Sequence, residues 1–544
     1  MGFKEIDDYI NKNFFNISKN DNEIVRKSII FINKIRQAIA SNTRIVVAGD
    51  YDVDGISSSV HLVELIKDYA KAKKRDITVD VYIPSREIGY GLSAEKFKEF
   101  QQEDCYVFAL DNGTHKSFLE TIEPHNQKKL FILDHHPNGD TSKMDFVLNP
   151  NKDGRMIIST AYLLDYVYEV LIKVDKDFGK NADRFKYADL VAMSLVSDMA
   201  DLNNIRVRHL IMKGFEKINR KERIFFKHLF PKKDLQVTYN DIAFEINPRI
   251  NSIGRLSSNP KDAVTILQYK EPSNRANKAM EYINSVNELR KNHLNNFINI
   301  ALEDIKNRKD ENKNIIFYYN KDIPLGLNGL VAQRIYEIYE IPALVASDSK
   351  TTGKIKGSGR GFNIKYIFNM FRDNDIFTYG GHNEALGFEV KDLEVFENII
   401  KRANTKNIPM EKEFKNIILD NKYTIKDYIE FCKELSAKSN TIPFKQKMFA
   451  QLDNVDINIK KVFRNNFCYL EIKDKDTNEK ISYFTKHNIA KELTENKEKF
   501  YISMYYEFNP KKMVQDFSGD IILDKNIRRQ NVSNENDIDL FLIQ

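Results

Sequence analysis

The sequence predicts an α/β protein of several domains, the first built on a doubly wound parallel sheet. From Arg44 to about Phe215, short apolar runs such as IVVAGD alternate with amphipathic helical stretches, which is the pattern of consecutive βαβ units. The runs are rich in branched and aromatic residues, as buried parallel strands are. The chain has 544 residues, too many for one hydrophobic core, so about two to four domains are expected.

Five segments are predicted along the chain. Residues 1–43 have the amphipathic spacing of helices, and residues 44–215 carry the alternating pattern of the catalytic α/β domain. Residues 216–310 are mostly helical and end in a charged stretch without Pro or Gly, which predicts a long connecting helix. Residues 311–405 have a second, smaller α/β pattern. Residues 410–544 contain short alternating strands, for which an OB-like β-barrel that binds nucleic acid is the best prediction.

Composition excludes several classes of protein. The 84 basic and 78 acidic residues are nearly balanced, so the net charge of +6 alone does not indicate a polyanionic partner. The three cysteines have neither the spacing of a zinc site nor that of a disulfide framework. We see neither an apolar leader nor an apolar stretch long enough to span a bilayer. A cytoplasmic protein without membrane association is therefore expected.

Three of the predicted strands end on an acidic residue. IVVAGD ends at Asp50, CYVFALD at Asp111 and KLFILD at Asp134. In an open parallel sheet, ligands bind beyond the carboxyl ends of the strands. These carboxylates are therefore expected to meet at one edge, where they would form a divalent metal site.

Local alternatives exist for two of these three motifs. In DYDVDG, Asp52 and Asp54 could aim at one pair of metal ions, or they could belong to an Asp-rich turn that caps a helix. The segment that begins at Asp111 could likewise be a plain turn after a strand. Two adjacent histidines, His135 and His136, directly after a strand-end acid are harder to explain as structure alone, because the chain has only 10 His.

The predicted ligand set indicates both the metal and the reaction. Carboxylates dominate the set, which favours Mg²⁺ or Mn²⁺, and an imidazole shifts the preference toward Mn²⁺. Two such ions about 4 Å apart clamp a phosphodiester for in-line attack by water. The residues therefore predict metal-dependent hydrolysis of a phosphoryl ester with two ions.

The motifs resemble a known family. DYDVDG, LDNG, LDHHP and SDMADL occur in the order and at about the spacing of the four motifs of the DHH phosphoesterase superfamily. Four further segments resemble those of RecJ-type exonucleases, which degrade single-stranded DNA from 5′ to 3′; these are PSREIGYGL (84–92), INPRINSIGRL (246–256), GSGRG (357–361) and YGGHNEALG (379–387). The resemblance covers about residues 44–390.

This resemblance implies roles for the residues of the metal site. The metal ligands that it implies are Asp52, Asp54, Asp111, His135 and Asp198. Asp201 is the alternative to Asp198. His136 matches the histidine that contacts the scissile phosphate, and Asp134 would orient the histidines. Asp50 would be either a further ligand or a supporting acid.

The resemblance also implies how nucleic acid is held. Arg86, Ser358 and Arg360 would bind a 5′-terminal phosphate, Tyr90 would stack on a base, and Arg255 would contact the phosphate backbone. By composition GSGRG is a phosphate cradle, although such a run can also be a simple tight turn. His382, in a second glycine-rich segment, is a further predicted contact, with a structural turn as the alternative.

The activity implied is a single-strand-specific 5′→3′ exonuclease of DNA repair and recombination. Single-stranded DNA would be its substrate, a single-strand binding protein and a helicase its partners, and a monomer its state. Two segments depart from the RecJ pattern, DIPLGLNGLVA (322–332) and IPFKQKMFAQ (442–451), and they bear on substrate grip. The alternatives are a DHH phosphodiesterase for short oligoribonucleotides, cyclic dinucleotides or 3′-phosphoadenosine phosphate, and a non-enzymatic scaffold.

Overall fold

The structure is a computed structural model of the 544-residue chain. It describes residues 22–137, 141–152, 156–202, 204–231, 237–256, 259–307, 314–369, 377–381, 384–405, 417–426, 448–452, 455–462, 467–478, 480–496, 500–502, 516–517 and 521–523. His382 and most of the segment 442–451 lie outside this part of the chain.

A five-stranded parallel sheet organises the first domain, as the sequence predicts. Its strands are β1 (Ile45–Gly49), β2 (Val79–Tyr82), β3 (Tyr106–Leu110), β4 (Leu130–Leu133) and β5 (Val147–Leu148). Their order is β2-β1-β3-β4-β5, and every pair is parallel. The three strands predicted to end on acid, β1, β3 and β4, are therefore neighbours.

Helices cover both faces of this sheet, because alternate residues of each strand enter different cores. The helices are α1 (Asn22–Ala40), α2 (Val53–Ala72), α3 (Ala94–Gln102), α4 (Lys116–Leu119), α5 (Thr160–Val174) and α6 (Lys176–Gly179), with a 3-10 turn at Asn126–Lys129. Val47 packs with α1, α2 and α5 on one face. Val46 packs with α3 and α4 on the other face. Helices on both faces make the sheet doubly wound.

A helical region follows the sheet and leads into the second domain. It comprises α7 (Ala188–Ser197), α8 (Ile205–Arg220), α9 (Ile224–Leu229), a π-helix (Asp241–Ile246), α10 (Asn247–Leu256), α11 (Lys261–Gln268) and α12 (Asn274–Asn307). The last of these, α12, is 34 residues long and is the connecting helix that the sequence predicts. None of the helices in the described part of the chain combines the length and the apolar character needed to cross a bilayer.

The second domain contains a mixed five-stranded sheet. Its strands are β6 (Ile316–Tyr319), β7 (Ala343–Asp348), β8 (Ile355–Arg360), β9 (Phe377–Gly381) and β10 (Ala385–Val390), in the order β6-β7-β8-β10-β9. Its helices are α13 (Asn328–Tyr339), α14 (Ile364–Asn369) and α15 (Leu393–Asn404), with a 3-10 turn at Leu325–Leu327 before α13. Only β6 and β7 are parallel, and the other pairs are antiparallel.

Four of the five residues of GSGRG, from Gly357 to Arg360, lie within β8, which corrects two sequence-based expectations. These four residues pair with both β7 and β10, so they form neither a glycine-rich cradle of free N–H groups nor a tight turn. The glycines are required by packing instead. A Cβ on Gly357 would lie 2.2 Å from the ring of Phe388, and one on Gly359 would lie 2.6 Å from Ile364.

The described C-terminal elements form two further four-stranded sheets. The strands are β11 (Ile417–Tyr423), β12 (Met448–Leu452), β13 (Val455–Val462), β14 (Phe467–Asp474), β15 (Lys480–Lys486), β16 (Phe500–Ile502), β17 (Asp516–Phe517) and β18 (Ile521–Leu523), with helix α16 (His487–Asn496). The sheet orders are β11-β12-β16-β18 and β13-β14-β15-β17. The described residues therefore bear out the predicted β-rich composition, but they do not establish a closed OB-like barrel.

Candidate metal centre

The carboxyl ends of β1, β3 and β4 bring the predicted acidic residues to one edge of the first sheet. Asp50 follows β1, Asp111 follows β3, and Asp134 follows β4. All three are buried, with only 1% of each residue exposed. Unpaired buried carboxylates are costly, so each one needs hydrogen-bond donors or a cation.

Asp52 is the N-cap residue of α2, and Asp54 lies in the first turn of this helix. The Asp52 carboxylate accepts a hydrogen bond from the Gly55 N–H at 3.1 Å and so caps the helix, as the structural alternative had it. A Cβ on Gly55 would lie 2.5 Å from the backbone of Asp50, so only glycine allows this tight strand-to-helix turn. Capping engages one oxygen of Asp52 and leaves the carboxylate beside Asp50 and Asp111.

Asp54 is held from the opposite side by α5 and α7. Its two oxygens accept hydrogen bonds from the backbone N–H groups of Thr160 at 2.6 Å and Ala161 at 3.0 Å. The Ser194 hydroxyl donates a third at 2.5 Å. Thr160 and Ala161 are the first residues of α5, where N–H groups have no partner within the helix. The helix end therefore fixes the orientation of the Asp54 carboxylate.

Asp111 adopts a backbone conformation that non-glycine residues rarely use. Its φ is +63°, which is in the left-handed region and costs on the order of 1 kcal/mol. Asn112 supports this turn through donation from its side-chain amide to the carbonyls of Ala48 at 3.1 Å and Leu110 at 2.7 Å. Thr160 Oγ1 donates to the Asp111 carboxylate at 3.3 Å. The motif is thus a turn, as the alternative proposed, and it also directs a carboxylate into the centre.

The His135 ring lies among three carboxylates. Its Nε2 atom is 3.2 Å from Asp111 Oδ1, 3.3 Å from Asp198 Oδ2 and 3.6 Å from Asp54 Oδ2. Burial lowers the pKa of His135. A neutral imidazole at this point presents a lone pair in the same space as the carboxylate oxygens, which is the arrangement of a metal ligand.

The buried Asp134 and the partly exposed His136 form a pair beside this cluster. Asp134 Oδ1 is 2.8 Å from His136 Nδ1, and Asp134 also accepts from the Thr114 hydroxyl and from the backbone N–H of His135 at 2.8 Å. Burial acts against the charge of each group, but the pairing outweighs it: the pKa of Asp134 is lowered, and that of His136 is raised to about 9. Asp134 thus remains an anion and His136 a cation at neutral pH.

A cation would stabilise the charged forms of the remaining carboxylates. Burial, together with the repulsion between neighbouring carboxylates, raises the pKa of Asp50, Asp111 and Asp198 well above the usual range. Asp50 Oδ1 and Asp198 Oδ2 are buried and, within the part of the chain that the structure describes, accept no hydrogen bond. A divalent ion at this position would satisfy these oxygens and offset the repulsion. The residues present therefore fit such an ion.

The described residues form three overlapping groups of potential metal ligands. Within each group, the ligand atoms lie within 4.8 Å of one another. The groups are Asp111 with His135 and His136, Asp54 with His135 and Asp198, and Asp50 with Asp52 and Asp111. Because Asp111 and His135 are shared between groups, the arrangement suits adjacent ions. All five predicted ligands are brought together, and Asp50 joins them, while Asp201 is in none of the groups.

Arg86 and Tyr90 lie beside the centre. The Arg86 guanidinium sits 4.0 Å from the ring centroid of Tyr51, the residue between Asp50 and Asp52, and its Nε donates to the Gly254 carbonyl at 3.1 Å. Tyr90 donates to the Asp111 carbonyl at 2.7 Å, and its ring is 5.9 Å from that of His136. Tyr90 remains 40% exposed, so one side of its ring is accessible.

Arg255, Arg360 and Ser358 come from the boundary between the two domains. Arg255 Nη1 donates to the Gly326 carbonyl at 2.7 Å and thereby joins α10 to the turn before α13. Burial, with Arg86 and Arg360 nearby, lowers the pKa of Arg255 to about 9. A Cβ on Gly329 would lie 2.8 Å from the Arg360 guanidinium and 3.5 Å from Ser358. Arg86, Arg255 and Arg360 thus lie near one another and near the first turn of α13. Their positive charge and the N-terminus of this helix favour the binding of an anion here.

Sequence reasoning missed the groups that support the histidines and Asp54. Asn149 and Asn151 donate from their side chains to the carbonyls of His136 and His135, each at 2.8 Å. They follow β5, so they belong to a fourth strand end whose polar residues were available as a signal. Ser194 and the N–H groups of α5 carry no such signal, because only the fold brings them to Asp54.

The sequence that contains this centre matches one protein-family model and is similar to a curated relative. Residues 44–195 match the family model described as the DHH family, N-terminal domain. A Bacillus subtilis relative named single-stranded-DNA-specific exonuclease RecJ is 24% identical over 413 residues, which are 73% of this chain and 48% of that relative. The chain therefore spans about half the length of that relative.

Two solved structures have a similar fold. The complex of RecJ from Thermus thermophilus with Mn²⁺ has a TM-score of 0.68 at 18% identity, covering 94% of this chain and 72% of that one. The complex of RecJ from the same organism with Mg²⁺ has a TM-score of 0.63 at 17% identity, covering 94% and 71% of the two chains. At this level of identity the likeness establishes the fold and not the chemistry.

Proposed function

We propose that this RecJ-like chain with a DHH domain hydrolyses phosphodiester bonds of single-stranded DNA from the 5′ end with two divalent metal ions. Its sequence motifs predicted the same kind of protein. The observation that carries the proposal is the convergence of three strand ends on the overlapping ligand groups, next to the cluster of arginines. Such an arrangement pairs a cation centre with a site for the anionic backbone of the substrate.

Mn²⁺ or Mg²⁺ fits the ligand set, which is mainly carboxylate with one imidazole. Asp52, Asp54, Asp111, His135 and Asp198 are the proposed ligands, with Asp50 in reach of the same space. When bound, the two ions would polarise the phosphodiester and lower the pKa of the attacking water. The proposal gains support from the buried oxygens of Asp50 and Asp198 that accept no hydrogen bond within the described residues.

His136 is proposed to act on the phosphate. Asp134 holds its Nδ1 at 2.8 Å and, against the effect of burial, raises the pKa of the imidazole. A protonated imidazole beside the ligand groups can donate to a phosphoryl oxygen or to the leaving group. Asp134 then serves to orient and charge the ring.

The arginines are proposed to hold the substrate. Arg86 and Arg360, with Ser358, would take the 5′-terminal phosphate, since all three lie where the two domains face each other. Tyr90 would stack on a base through the exposed side of its ring. Arg255 uses one donor to join the domains, so its contact with the DNA backbone would involve the rest of its guanidinium.

Several further features belong to the same proposal. The resemblance supports a role in DNA repair and recombination, cooperation with a single-strand binding protein and a helicase, a monomeric state and a cytoplasmic location. The β-rich C-terminal segment, with a closed OB-like barrel, would extend the single-strand path.

A nuclease assay with end-labelled strands tests the proposal. A 5′-phosphorylated single strand with a 3′ label is incubated with Mn²⁺, and its products are compared with those of a duplex and of a dinucleotide. We expect 5′ mononucleotides from the single strand and slow turnover of the other two. Shortening from the 3′ end would overturn the polarity, and faster turnover of the dinucleotide would favour the small-substrate alternative. Asp111→Asn, which removes a shared ligand, serves as the inactive control.

A further inference from the structure

The turn from Ser85 to Gly91 connects three parts of the molecule. The N–H groups of Ile88 and Gly89 both bond to the Ser85 carbonyl at 3.1 Å, which closes the turn. Arg86 contacts α10 at Gly254, and Tyr90 contacts the metal centre at the carbonyl of Asp111. Glu87, one of the three residues between these two anchors, instead contacts the second domain.

Glu87 binds a turn of the second domain with its side chain and its backbone. Ser349 Oγ donates to Glu87 Oε2 at 2.9 Å, and Thr351 Oγ1 lies 3.3 Å from the same oxygen and 3.3 Å from the Glu87 carbonyl. The turn that supplies these donors is itself held by a hydrogen bond, since the Ser349 N–H donates to the Lys354 carbonyl at 2.8 Å. Ser349 is only 1% exposed. The contact therefore joins two turns that are each held by their own hydrogen bonds.

This contact lies next to the arginine cluster in both domains. On one side, Arg86 directly precedes Glu87. On the other side, the Ser349 turn leads into β8, the strand that ends at Arg360. The two guanidinium groups are close enough that Arg86, together with burial, lowers the pKa of Arg360. Like charges repel each other, and the hydrogen bond from Ser349 to Glu87 acts against that repulsion by joining the two domains next to the arginines.

We propose that Glu87 is a positioning residue. It ties the turn that carries Arg86 to the second domain, and it thereby sets the separation between Arg86 and Arg360 at which these two residues recognise a terminal phosphate. The inference rests on the proposed function, because it takes the arginine cluster as the 5′-phosphate site. Glu87 touches neither the substrate nor the ligand groups, and its effect passes through Arg86.

The test compares Glu87→Ala with Glu87→Gln on two oligonucleotides that differ only in having a 5′-phosphate or a 5′-hydroxyl. Glu87→Ala removes the acceptor, and we expect about a tenfold rise in KM for the phosphorylated strand, with kcat unchanged and KM for the hydroxyl strand unchanged. Glu87→Gln keeps an acceptor oxygen for the two hydroxyl groups and should retain most of the preference for phosphate. A general loss of structure would instead change both substrates alike.

A second pair of variants keeps the test decisive if Glu87→Ala folds poorly. The double variant of Ser349→Ala and Thr351→Ala removes the donors and should reproduce the loss of 5′-phosphate preference. Adding Glu87→Ala to this double variant should have no further effect, because the double variant already removes both hydroxyl donors to Glu87. Glu389→Ala is the matched control, since it removes an ion pair with Lys354 within the second domain and should leave the preference intact.

The outcomes separate this inference from the function on which it rests. If the wild-type protein shows no preference for a 5′-phosphate, the proposed phosphate site is wrong, and the role of Glu87 fails with it. If the wild-type protein shows the preference and Glu87→Ala retains it, only the role of Glu87 is overturned. Additive effects of the Glu87 and Ser349/Thr351 changes would overturn it in the same way.

Discussion

At the level of single residues, the acidic side chains of the centre differ in what already satisfies them. Asp54 accepts hydrogen bonds from two backbone N–H groups of α5 and from Ser194. Asp50 and Asp198 each have a buried oxygen that accepts no hydrogen bond within the described residues. The Asp54 carboxylate is thus oriented without any metal ion, whereas the other two gain most from a bound cation.

Asp54→Asn should abolish cleavage. The side-chain amide of Asn has one oxygen that can accept a hydrogen bond, whereas both oxygens of the Asp54 carboxylate accept one. The change also removes one negative charge from the centre. We expect weaker Mn²⁺ binding, measured by titration with electron paramagnetic resonance detection, together with a normal circular dichroism spectrum. Asp76→Asn, at an exposed position beyond the far end of α2, is the control. Retained cleavage in Asp54→Asn would exclude Asp54 as a ligand.

The repulsion between carboxylates makes a prediction about pH in the metal-free protein. Burial and neighbouring charges raise the pKa of Asp198 in the folded state, so folding favours its protonated form. That contribution is present below the unfolded pKa of about 4 and is lost as pH rises toward the folded pKa. Asp198→Asn should therefore gain stability relative to the wild type between pH 4 and pH 7. Urea unfolding in EDTA measures this, and a difference independent of pH would contradict it.

The residues that the sequence could identify are those that follow strands. Because neighbouring parallel strands end at one edge, Asp111 and His135 could be placed together from the strand pattern alone. The partners of Asp54 could not, because Thr160 and Ser194 are far from it in sequence and act through helix packing. The left-handed conformation of Asp111 likewise depends on the Asn112 contacts with two strands.

At the level of secondary structure, β8 shows how composition can mislead. A run with three glycines indicates a loop, because glycine adds flexibility to the unfolded chain. In β8 the glycines make room for Phe388, Ile364 and Leu386 from the core of the second domain. The strand can be recognised only when its neighbours are known, and this is why the sequence suggested a cradle or a turn.

Gly357→Ala should destabilise the second domain. Its new Cβ would lie 2.2 Å from the Phe388 ring, which must then move, at a cost of roughly 1–3 kcal/mol. Gly380→Ala, in β9 of the same sheet, is the matched control because nothing lies within 4 Å of its Cβ position. Urea unfolding followed by circular dichroism compares the two variants. Equal stability of both would show that the ring relocates freely.

At the level of the whole molecule, charge is divided between neighbouring sites. The acidic centre belongs to the first domain, and the arginines lie where Arg86 contacts α10 at Gly254 and Arg255 contacts the second domain at Gly326. The sequence contained both sets of residues, but their proximity depends on how α10 packs against the turn at Gly326. A Cβ on Gly326 would lie 2.5 Å from the Arg255 carbonyl, so the domains approach closely only because this residue is glycine.

The salt dependence of DNA binding should report the arginine contacts. For single strands, each phosphate contact contributes about −0.7 to the slope of log K against log salt concentration. Arg360→Ala should therefore reduce the slope by roughly 0.7 for a 5′-phosphorylated strand. Fluorescence anisotropy between low and moderate salt measures it. Lys391→Ala, at an exposed position after β10, should leave the slope unchanged, and an unchanged slope in Arg360→Ala would remove that residue from the interface.

The N-terminus of α5 has a consequence for how the protein exchanges its ions. Since its peptide groups orient Asp54 without any cation, part of the ligand set exists before an ion binds. An ion that dissociates would leave behind a folded receptor and not a collapsed one. Removal of the ions by a chelator should then be quickly reversible. Whether Mn²⁺ or Mg²⁺ is bound would depend on the concentration of each ion in the surroundings and not on which ion was present when the chain folded.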